Sequence, residues 1–264
     1  MAIVRVAIDK IDRIEMIEYK GGCTPKKIQQ LYGADIFING VLFDNKTRKI
    51  ITNTKSLNTG KQGYLFSEMG IGIRNGKPIW INKWDALKDD TVTGFIGSAP
   101  TLIVDGKISI DKKDITNSFY GTTTYRSGMG FNDKELVLYS GGDRRSFSNY
   151  SKFAESLGVS YFENLDGGGS CCLWKDGKQL NKEYDGRLIP MWILVYLKKD
   201  KAQTEKEVYK VEKEIISVDG VDVEFETITV NGKSYTEMRK TAEAIGCVVG
   251  YDPKTKKKSI NRKK

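Results

Sequence analysis

The chain has 264 residues, of which 39% are hydrophobic and 10% aromatic, enough for one sizeable globular domain and a second, smaller one. It contains no histidine, which excludes Ser-His-Asp and Cys-His nucleophiles and removes the commonest metal ligand. Much of the net charge of +9 comes from residues 254–264, which carry seven Lys/Arg and no acidic residue. We interpret this basic end as a solvated terminus or a site for an anionic polymer, and nucleic-acid binding is not favoured.

The N-terminus and the cysteines give two further expectations. No apolar run is long enough to span a bilayer, and the first residues alternate like a strand instead of forming a signal peptide. We therefore expect no membrane insertion and a protein that is cytoplasmic as synthesised. The four cysteines lack zinc-site spacing, and two are adjacent, so we interpret them as reduced packing residues: Cys23, Cys171, Cys172 and Cys247.

In chain order, the pattern predicts many short strands and few helices. Thr24, Pro25 and Gly33 are typical of the cap, first turn and end of a helix. A buried strand is predicted at 36–38, hairpins at 72–80 and 102–108, further strands at 136–140, 159–162 and 191–197, and a helix capped by Ser148 and closed by Gly158. This predicts an α+β fold with mixed sheets and few short helices.

Four segments follow from changes in composition. We predict an N-terminal strand or extension at 1–20, the main domain at 21–199, a charged linker at 200–214, and a small α+β module at 215–264 with a basic tail. Within the module, a strand from Val223 to Val230, an Asn231-Gly232 turn and a helix capped by Thr236 are expected.

Glycine-rich joints are the strongest functional signal. Three consecutive glycines follow Asp166, directly after a predicted strand, and such loops can present backbone N–H groups and a carboxylate to a polar ligand. Similar joints occur at Asn39-Gly40, at 97–100 and at 125–130. Taken alone, the Asp166 loop is a moderate signal for a site, whereas the joints at 97–100 and 125–130 individually favour a structural bulge or turn.

Together and in this order, these joints resemble the phosphodiester glycosidase family, the relatives of the enzyme that uncovers mannose 6-phosphate. Residues 164–170 read Asn-Leu-Asp-Gly-Gly-Gly-Ser, the family's hallmark, and residues 38–43, 98–106 and 126–128 are similar to three other family elements. The resemblance covers about residues 21–199. Val41, the pair Cys171-Cys172 and the segment 140–145 depart from the family pattern.

The resemblance implies a hydrolase that cleaves the glycosidic bond of a sugar-1-phosphodiester. Asp166 is expected to act near the anomeric carbon, Arg126 on the phosphate, and Asn39 and Ser98 on sugar or phosphate oxygens. Glu163 is a weaker catalytic candidate. The expected substrate-binding residues are Ser98, Asp143, Arg144, Asn164, Gly167, Gly168, Gly169 and Ser170. No metal site or cofactor is predicted, although Asp166 and Asp105 could bind a divalent cation with backbone carbonyls.

The small module resembles the copper amine oxidase N-terminal-like, or stalk, domains of Gram-positive cell-envelope proteins. This resemblance implies attachment to an anionic wall polymer. Together with the main domain it suggests a bacteriophage origin and action at the bacterial envelope. The expected substrates are an envelope glycan, a glycosyl phosphate or a nucleotide-linked sugar. Two alternatives stay open. One is a non-catalytic protein that binds or sequesters sugar-phosphate ligands on the same fold. The other is nucleic-acid binding through the basic tail.

Overall fold

The computed structural model describes residues 1–56, 60–62, 69–97, 100–110, 122–199, 210–218, 221–230, 233–236, 246–252 and 257–262. Two compact units divide the chain, residues 1–198 and 199–264. In the described part, no helix is long and apolar enough to cross a membrane.

The first unit has three short helices among its described residues. Helix α1 (Pro25–Tyr32) begins at Thr24, whose hydroxyl accepts from the Lys27 amide, and ends at Gly33 with φ of 57°, which confirms the predicted cap and stop. The other two are α2 (Lys83–Lys88) and α3 (Phe147–Ser156). The cap predicted for α3 at Ser148 was wrong by two residues. The helix begins after Ser146, because Phe147 already belongs to its buried face.

A six-stranded sheet has the order β1-β12-β11-β13-β9-β10. Its strands are β1 (Ala2–Ala7), β9 (Thr101–Val104), β10 (Lys107–Ile108), β11 (Ser127–Phe131), β12 (Glu135–Ser140) and β13 (Tyr161–Leu165). Helix α3 connects β12 to β13, which point in the same direction but do not pair. Strand β11 lies between them, antiparallel to both.

A five-stranded sheet has the order β15-β14-β3-β16-β2. Its strands are β2 (Ile11–Cys23), β3 (Ile36–Asn39), β14 (Leu173–Lys175), β15 (Lys178–Gln179) and β16 (Ile189–Leu197). Strand β2 pairs with β16 from Ile11 to Cys23. The boundary predicted between residues 20 and 21 therefore falls inside a strand of this sheet.

A third sheet, order β5-β4-β8-β6-β7, completes the first unit. Its strands are β4 (Asn53–Ser56), β5 (Gly60–Gln62), β6 (Met69–Arg74), β7 (Lys77–Asn82) and β8 (Val92–Gly97). The predicted hairpins with Asn75-Gly76 and Asp105-Gly106 turns are confirmed as β6–β7 and β9–β10. The expectation of mixed sheets is corrected, since all strand pairs among the described residues are antiparallel. Each of the three described helices links two like-directed strands that have one antiparallel strand between them: α1 links β2 and β3, α2 links β7 and β8, and α3 links β12 and β13.

One hydrophobic core is shared by all three sheets. Buried side chains from β1, β2, β3, β6, β8, β11, β12, β13, β14 and β16 form a single cluster that includes Val4, Met16, Ile38, Ile71 and Leu138. A second cluster lies under α3, with Tyr150 and Phe162 at its centre. Both clusters include residues of β13, the strand that ends next to Asp166, so this strand is packed on both of its faces.

In the second unit, β17 (Lys210–Val218), β18 (Val221–Val230) and β19 (Lys233–Thr236) form an antiparallel sheet. Strands β20 (Cys247–Asp252) and β21 (Lys257–Arg262) form a hairpin. The predicted strand 223–230 lies within β18. The helix predicted after Thr236 lies outside the described residues.

Candidate active site

The candidate site lies where β11 begins and β13 ends. These strands are antiparallel neighbours, and Ser127 is paired with Leu165. Arg126, the residue before β11, and Asp166, the residue after β13, therefore emerge at the same end of adjacent strands. The chain after β3 joins them, since the Asp166 amide donates to the Gly40 carbonyl at 2.9 Å. Three elements that are distant in sequence thus meet at one point.

The glycine loop packs closely against the chain before β11. The Gly168 amide donates to the Tyr125 carbonyl at 2.9 Å, and Gly168 has φ of 60°. A Cβ at Gly167 would lie 2.5 Å from that same carbonyl oxygen, and a Cβ at Gly169 would overlap the Asp185 carboxylate. Each glycine is therefore required by backbone conformation or by close approach. The amides of Gly168 and Ser170 are already used in hydrogen bonds within the protein.

The carboxylate of Asp166 is partly buried and borders a cavity. Burial raises its pKa to about 6. Hydrogen bonds from the Ser170 hydroxyl and the Gly167 amide, and the positive charge of Arg187, act in the opposite direction, while the charge of Asp185 adds to the rise. The result is a carboxyl group that changes charge close to neutral pH.

Arg126 brings a buried positive charge to the same cavity. Its residue is only 5% exposed, its Nε donates to the Arg145 carbonyl at 3.1 Å, and its Nη2 donates to the Thr122 carbonyl at 2.7 Å. The guanidinium carbon lies 3.6 Å from the centre of the Phe147 ring. Among the described residues, no carboxylate lies within ion-pair distance of it, and burial lowers its pKa. Such a buried, uncompensated charge favours the binding of an anion.

Arg187 is a second cation of the site, and the sequence analysis missed it. Its Nη1 lies 3.5 Å from the Ser170 hydroxyl, and its Nε and Nη2 donate to the two oxygens of Asp185 at 2.9 and 2.6 Å. Its only sequence signal is its place in an Asp-Gly-Arg turn, which also marks ordinary surface loops. Hydrogen bonds from this turn to the glycine loop, such as Asp185 amide to Gly169 carbonyl at 3.0 Å, bring it to the site.

The main cavity encloses about 460 Å³, large enough for a sugar and a phosphate group. Its lining includes five residues predicted from the sequence, Asp166, Arg126, Gly167, Gly168 and Asn164. It also includes Arg187, which the sequence did not predict. The remaining lining residues are Leu42, Asn45, Thr122, Thr124, Phe147 and Leu165.

Asn39 lies under the site as a brace and does not line the main cavity. Its Nδ2 donates to the Asp166 carbonyl at 2.8 Å and its Oδ1 accepts from the Cys172 amide at 3.0 Å, and the residue is fully buried. This amide therefore fixes the two ends of the 166–172 segment to the end of β3. Gly169 and Ser170 likewise adjoin the cavity without being part of its lining.

The other predicted residues lie elsewhere. Asp143 and Arg144 are exposed on the turn after β12 and do not line the cavity, and Asp105 lies at the β9–β10 turn, where it accepts from the Tyr161 hydroxyl. Glu163 is fully buried and accepts from the Thr101 hydroxyl at 2.8 Å. Ser98 lies outside the described residues. No group of three or more potential metal-binding side chains occurs in the described part of the chain.

Three departures from the family pattern face the core, namely Val41, Cys171 and Cys172, whereas Asp143 and Arg144 of the departing segment 140–145 are exposed. Val41 is 1% exposed and belongs to the cluster shared by the three sheets. Cys171 and Cys172 are fully buried free thiols, and burial raises the pKa of Cys171 to about 12. These three side chains therefore change the packing behind the site and not the lining of the main cavity.

Comparison with known proteins identifies the family. The profile of the phosphodiester glycosidase family matches residues 32–196, a segment that contains Arg126, Asp166 and Arg187. The chain belongs to this family. No curated protein matches it.

Two solved structures share the fold. The catalytic domain of zebrafish N-acetylglucosamine-1-phosphodiester alpha-N-acetylglucosaminidase, auto-inhibited by its pro-peptide, is 18% identical, with a TM-score of 0.58 over 70% of this chain and 73% of that one. A hypothetical protein from Synechocystis is 12% identical, with a TM-score of 0.61 over 74% of this chain and 59% of that one. At these identities the likeness extends to the fold of the phosphodiester glycosidases and no further.

Proposed function

We propose that the protein is a hydrolase that cleaves the bond between the anomeric carbon of a sugar and a phosphodiester. The observation that carries this proposal is the pairing, in one cavity, of a buried arginine that has no carboxylate partner among the described residues with a carboxylate whose pKa is raised to about 6. An anionic phosphate would compensate Arg126. An electron-deficient anomeric carbon would be stabilised by the ionised Asp166. Membership of the phosphodiester glycosidase family supports the same reaction class.

The proposed mechanism uses few groups. Arg126 and Arg187 bind the phosphate, and the Asp166 carboxylate faces the anomeric carbon and accepts a proton from the attacking water. The C–O bond breaks, the oxygen leaves as a phosphate monoester, and the water oxygen becomes the hydroxyl of the free sugar. Since a phosphate leaves as an anion without being protonated, the reaction needs no strong general acid. The absence of histidine is therefore compatible with it.

The substrate class we propose is an envelope glycan with sugar-phosphate links, a glycosyl phosphate or a nucleotide-linked sugar. We further propose that the second unit, with its basic C-terminal residues, binds an anionic wall polymer, as expected of a bacteriophage product that acts at the bacterial envelope. Seven Lys/Arg between residues 254 and 264 support an anionic partner. No cofactor is proposed.

The test is release of free sugar from UDP-N-acetylglucosamine and from a methyl phosphodiester of N-acetylglucosamine-1-phosphate. We expect turnover by the wild type and a loss of about 10²–10⁴-fold in kcat/KM for Asp166→Asn, the usual range for loss of a general base. Arg126→Lys keeps the charge but loses the planar fork, so its KM should rise. Asp176→Asn makes the same chemical change on an exposed turn and should have no effect.

Two other outcomes would revise the proposal. Full activity in Asp166→Asn would remove this carboxylate from the mechanism. Absence of turnover together with saturable binding of the phosphodiester, weakened in Arg126→Lys, would favour the non-catalytic sugar-phosphate binder.

A further inference from the structure

A second cavity adjoins the main one. It has a volume of about 440 Å³, is widely open to solvent, and is lined by Asn45, Arg48, Asp185, Gly186 and Arg187. Asn45 and Arg187 line both cavities, so the two lie side by side at these residues. A ligand whose phosphate contacts Arg187 from the main cavity can therefore extend into the second cavity.

Arg48 supplies the positive charge of this second cavity. Its Nη1 donates to the Asn45 Oδ1 at 3.3 Å, and the Arg187 Nη1 donates to the same oxygen at 3.3 Å. One neutral amide oxygen thus holds two guanidinium groups side by side. Asp185 forms a bidentate ion pair with Arg187, whereas no carboxylate lies within ion-pair distance of Arg48 in the described part of the chain. The cavity therefore keeps an uncompensated positive charge.

The turn that carries Arg48 is built to hold it in place. Asp44 Oδ1 accepts from the amides of Lys46 and Thr47 at 3.0 and 2.7 Å and from the Thr47 hydroxyl at 2.8 Å. The Arg48 amide donates to the Asp44 carbonyl at 2.8 Å, and Arg48 has φ of 59°. A non-glycine residue in the left-handed region costs about 1–2 kcal/mol, and the surrounding structure must hold it there. A glycine would satisfy the turn without this cost.

We propose that the second cavity binds a second phosphate group of the substrate, on the leaving-group side, with Arg48 as its ligand. This rests on the proposed function, which assigns the first phosphate to Arg126 and Arg187. It narrows the substrate class to compounds in which the leaving group itself carries a further phosphate. In a nucleoside diphosphate leaving group, the second phosphate is directly adjacent to the first. In a phosphodiester-linked polymer, the second phosphate is several atoms away from the first.

Binding measurements can test this without turnover. Calorimetric titration would compare UDP with UMP, and glycerol 1,3-bisphosphate with glycerol 1-phosphate, for the wild type, Arg48→Gln and Lys46→Gln. Lys46→Gln is the matched control, because it removes the same charge from the same turn but from a residue outside the second cavity. Retained binding of the monophosphates by all three proteins shows that the main cavity is intact.

We expect the wild type to bind the bisphosphorylated member of one pair about tenfold more tightly, as one charge-assisted contact provides. Arg48→Gln should abolish that preference and Lys46→Gln should keep it. A preference for UDP over UMP would place the second phosphate directly next to the first. A preference for glycerol 1,3-bisphosphate over glycerol 1-phosphate would place it several atoms away. The proposal is overturned if the wild type has no preference in either pair, or if both variants weaken it equally. Absence of sugar release in the turnover assay would refute the proposed reaction alone, since these affinities do not depend on catalysis.

Discussion

Asp166 and Arg126 are each placed where burial disfavours their charged form. The pKa of Asp166 is raised to about 6 and that of Arg126 is lowered, both mainly by loss of contact with water. A phosphodiester next to Arg126 and a developing positive charge next to Asp166 would compensate both. The free protein thus carries an electrostatic cost that the transition state would relieve, which is the direction required for catalysis.

Replacing Asp166 by Asn should therefore stabilise the protein, and more so at higher pH. In the folded protein the pKa of Asp166 is about 6, above the ordinary value of 3.8 for an aspartate, so the folded protein binds this proton more tightly than the unfolded chain. The protonated Asp166 side chain makes its full contribution to the stability of the fold below about pH 4. This contribution is lost as the pH rises through 6. The free energy of unfolding can be measured with urea at pH 4, 5, 6 and 7.5. The value for Asp166→Asn should rise relative to that of the wild type as the pH increases, by about 2 kcal/mol in total.

Asp185→Asn provides a control of opposite sign. The ion pair with Arg187 lowers the pKa of Asp185, so this carboxylate stabilises the fold above pH 4 and ceases to do so as the pH falls. Its Asn variant should lose stability relative to the wild type at pH 7.5 and approach it at low pH. A stability difference for Asp166→Asn that does not depend on pH would show that Asp166 has an ordinary pKa in the fold.

At the scale of elements, the glycine loop 166–170 connects three parts of the fold. Its backbone is bound to the chain after β3, to the chain before β11 and to the turn before β16, through Gly40, Tyr125 and Asp185. The loop is therefore an integral part of the packing, although it contains three glycines. Each glycine meets a different obstacle, so alanine substitutions should have graded effects.

Gly167→Ala should cost the most stability of the three. Its Cβ would lie 2.5 Å from the Tyr125 carbonyl oxygen, which cannot move without displacing the chain before β11, and overpacking of this kind costs about 1–3 kcal/mol. Gly168→Ala meets only backbone strain at φ of 60°, about 1 kcal/mol. Gly169→Ala meets the side chains of Asp185 and Arg187, and Asp185 is partly exposed and can move aside. Chemical denaturation of the three variants should rank them, and a Gly167→Ala protein as stable as wild type would contradict the packing described.

At the scale of the whole molecule, local sequence patterns were sufficient to predict much of the secondary structure. Helix α1 and the two hairpins were predictable because cap and turn residues act on their near neighbours in the sequence. The pairing of Arg126 with Asp166 was accessible only through the ordered family motifs. Arg187 was not accessible, because it reaches the site through tertiary hydrogen bonds to the glycine loop. The role of Asn39 as a brace between Asp166 and Cys172 also depends on contacts across 127 and 133 positions.

For the N-terminal residues, too, local sequence predicts a strand without showing its tertiary partners. Alternation at 2–7 predicts a strand, but nothing local shows which sheet it joins. In the fold, β1 pairs with β12 over six residues, and β2 pairs with β16 and contributes Met16 to the shared core. Residues 1–20 therefore belong to the packing of the first unit.

This predicts opposite results for two truncations. Residues 1–198 contain all of the hydrophobic clusters identified among the described residues, so this fragment should fold cooperatively and keep the sugar-releasing activity of the full chain on a small substrate. Residues 21–198 lack β1 and most of β2, which exposes one face of the shared core and deprives β12 and β16 each of one of their two paired neighbours. Thermal unfolding monitored by circular dichroism should give one sharp transition for the longer fragment and none for the shorter. A folded, active 21–198 fragment would show instead that the N-terminal strands are an accessory to a core that is complete without them.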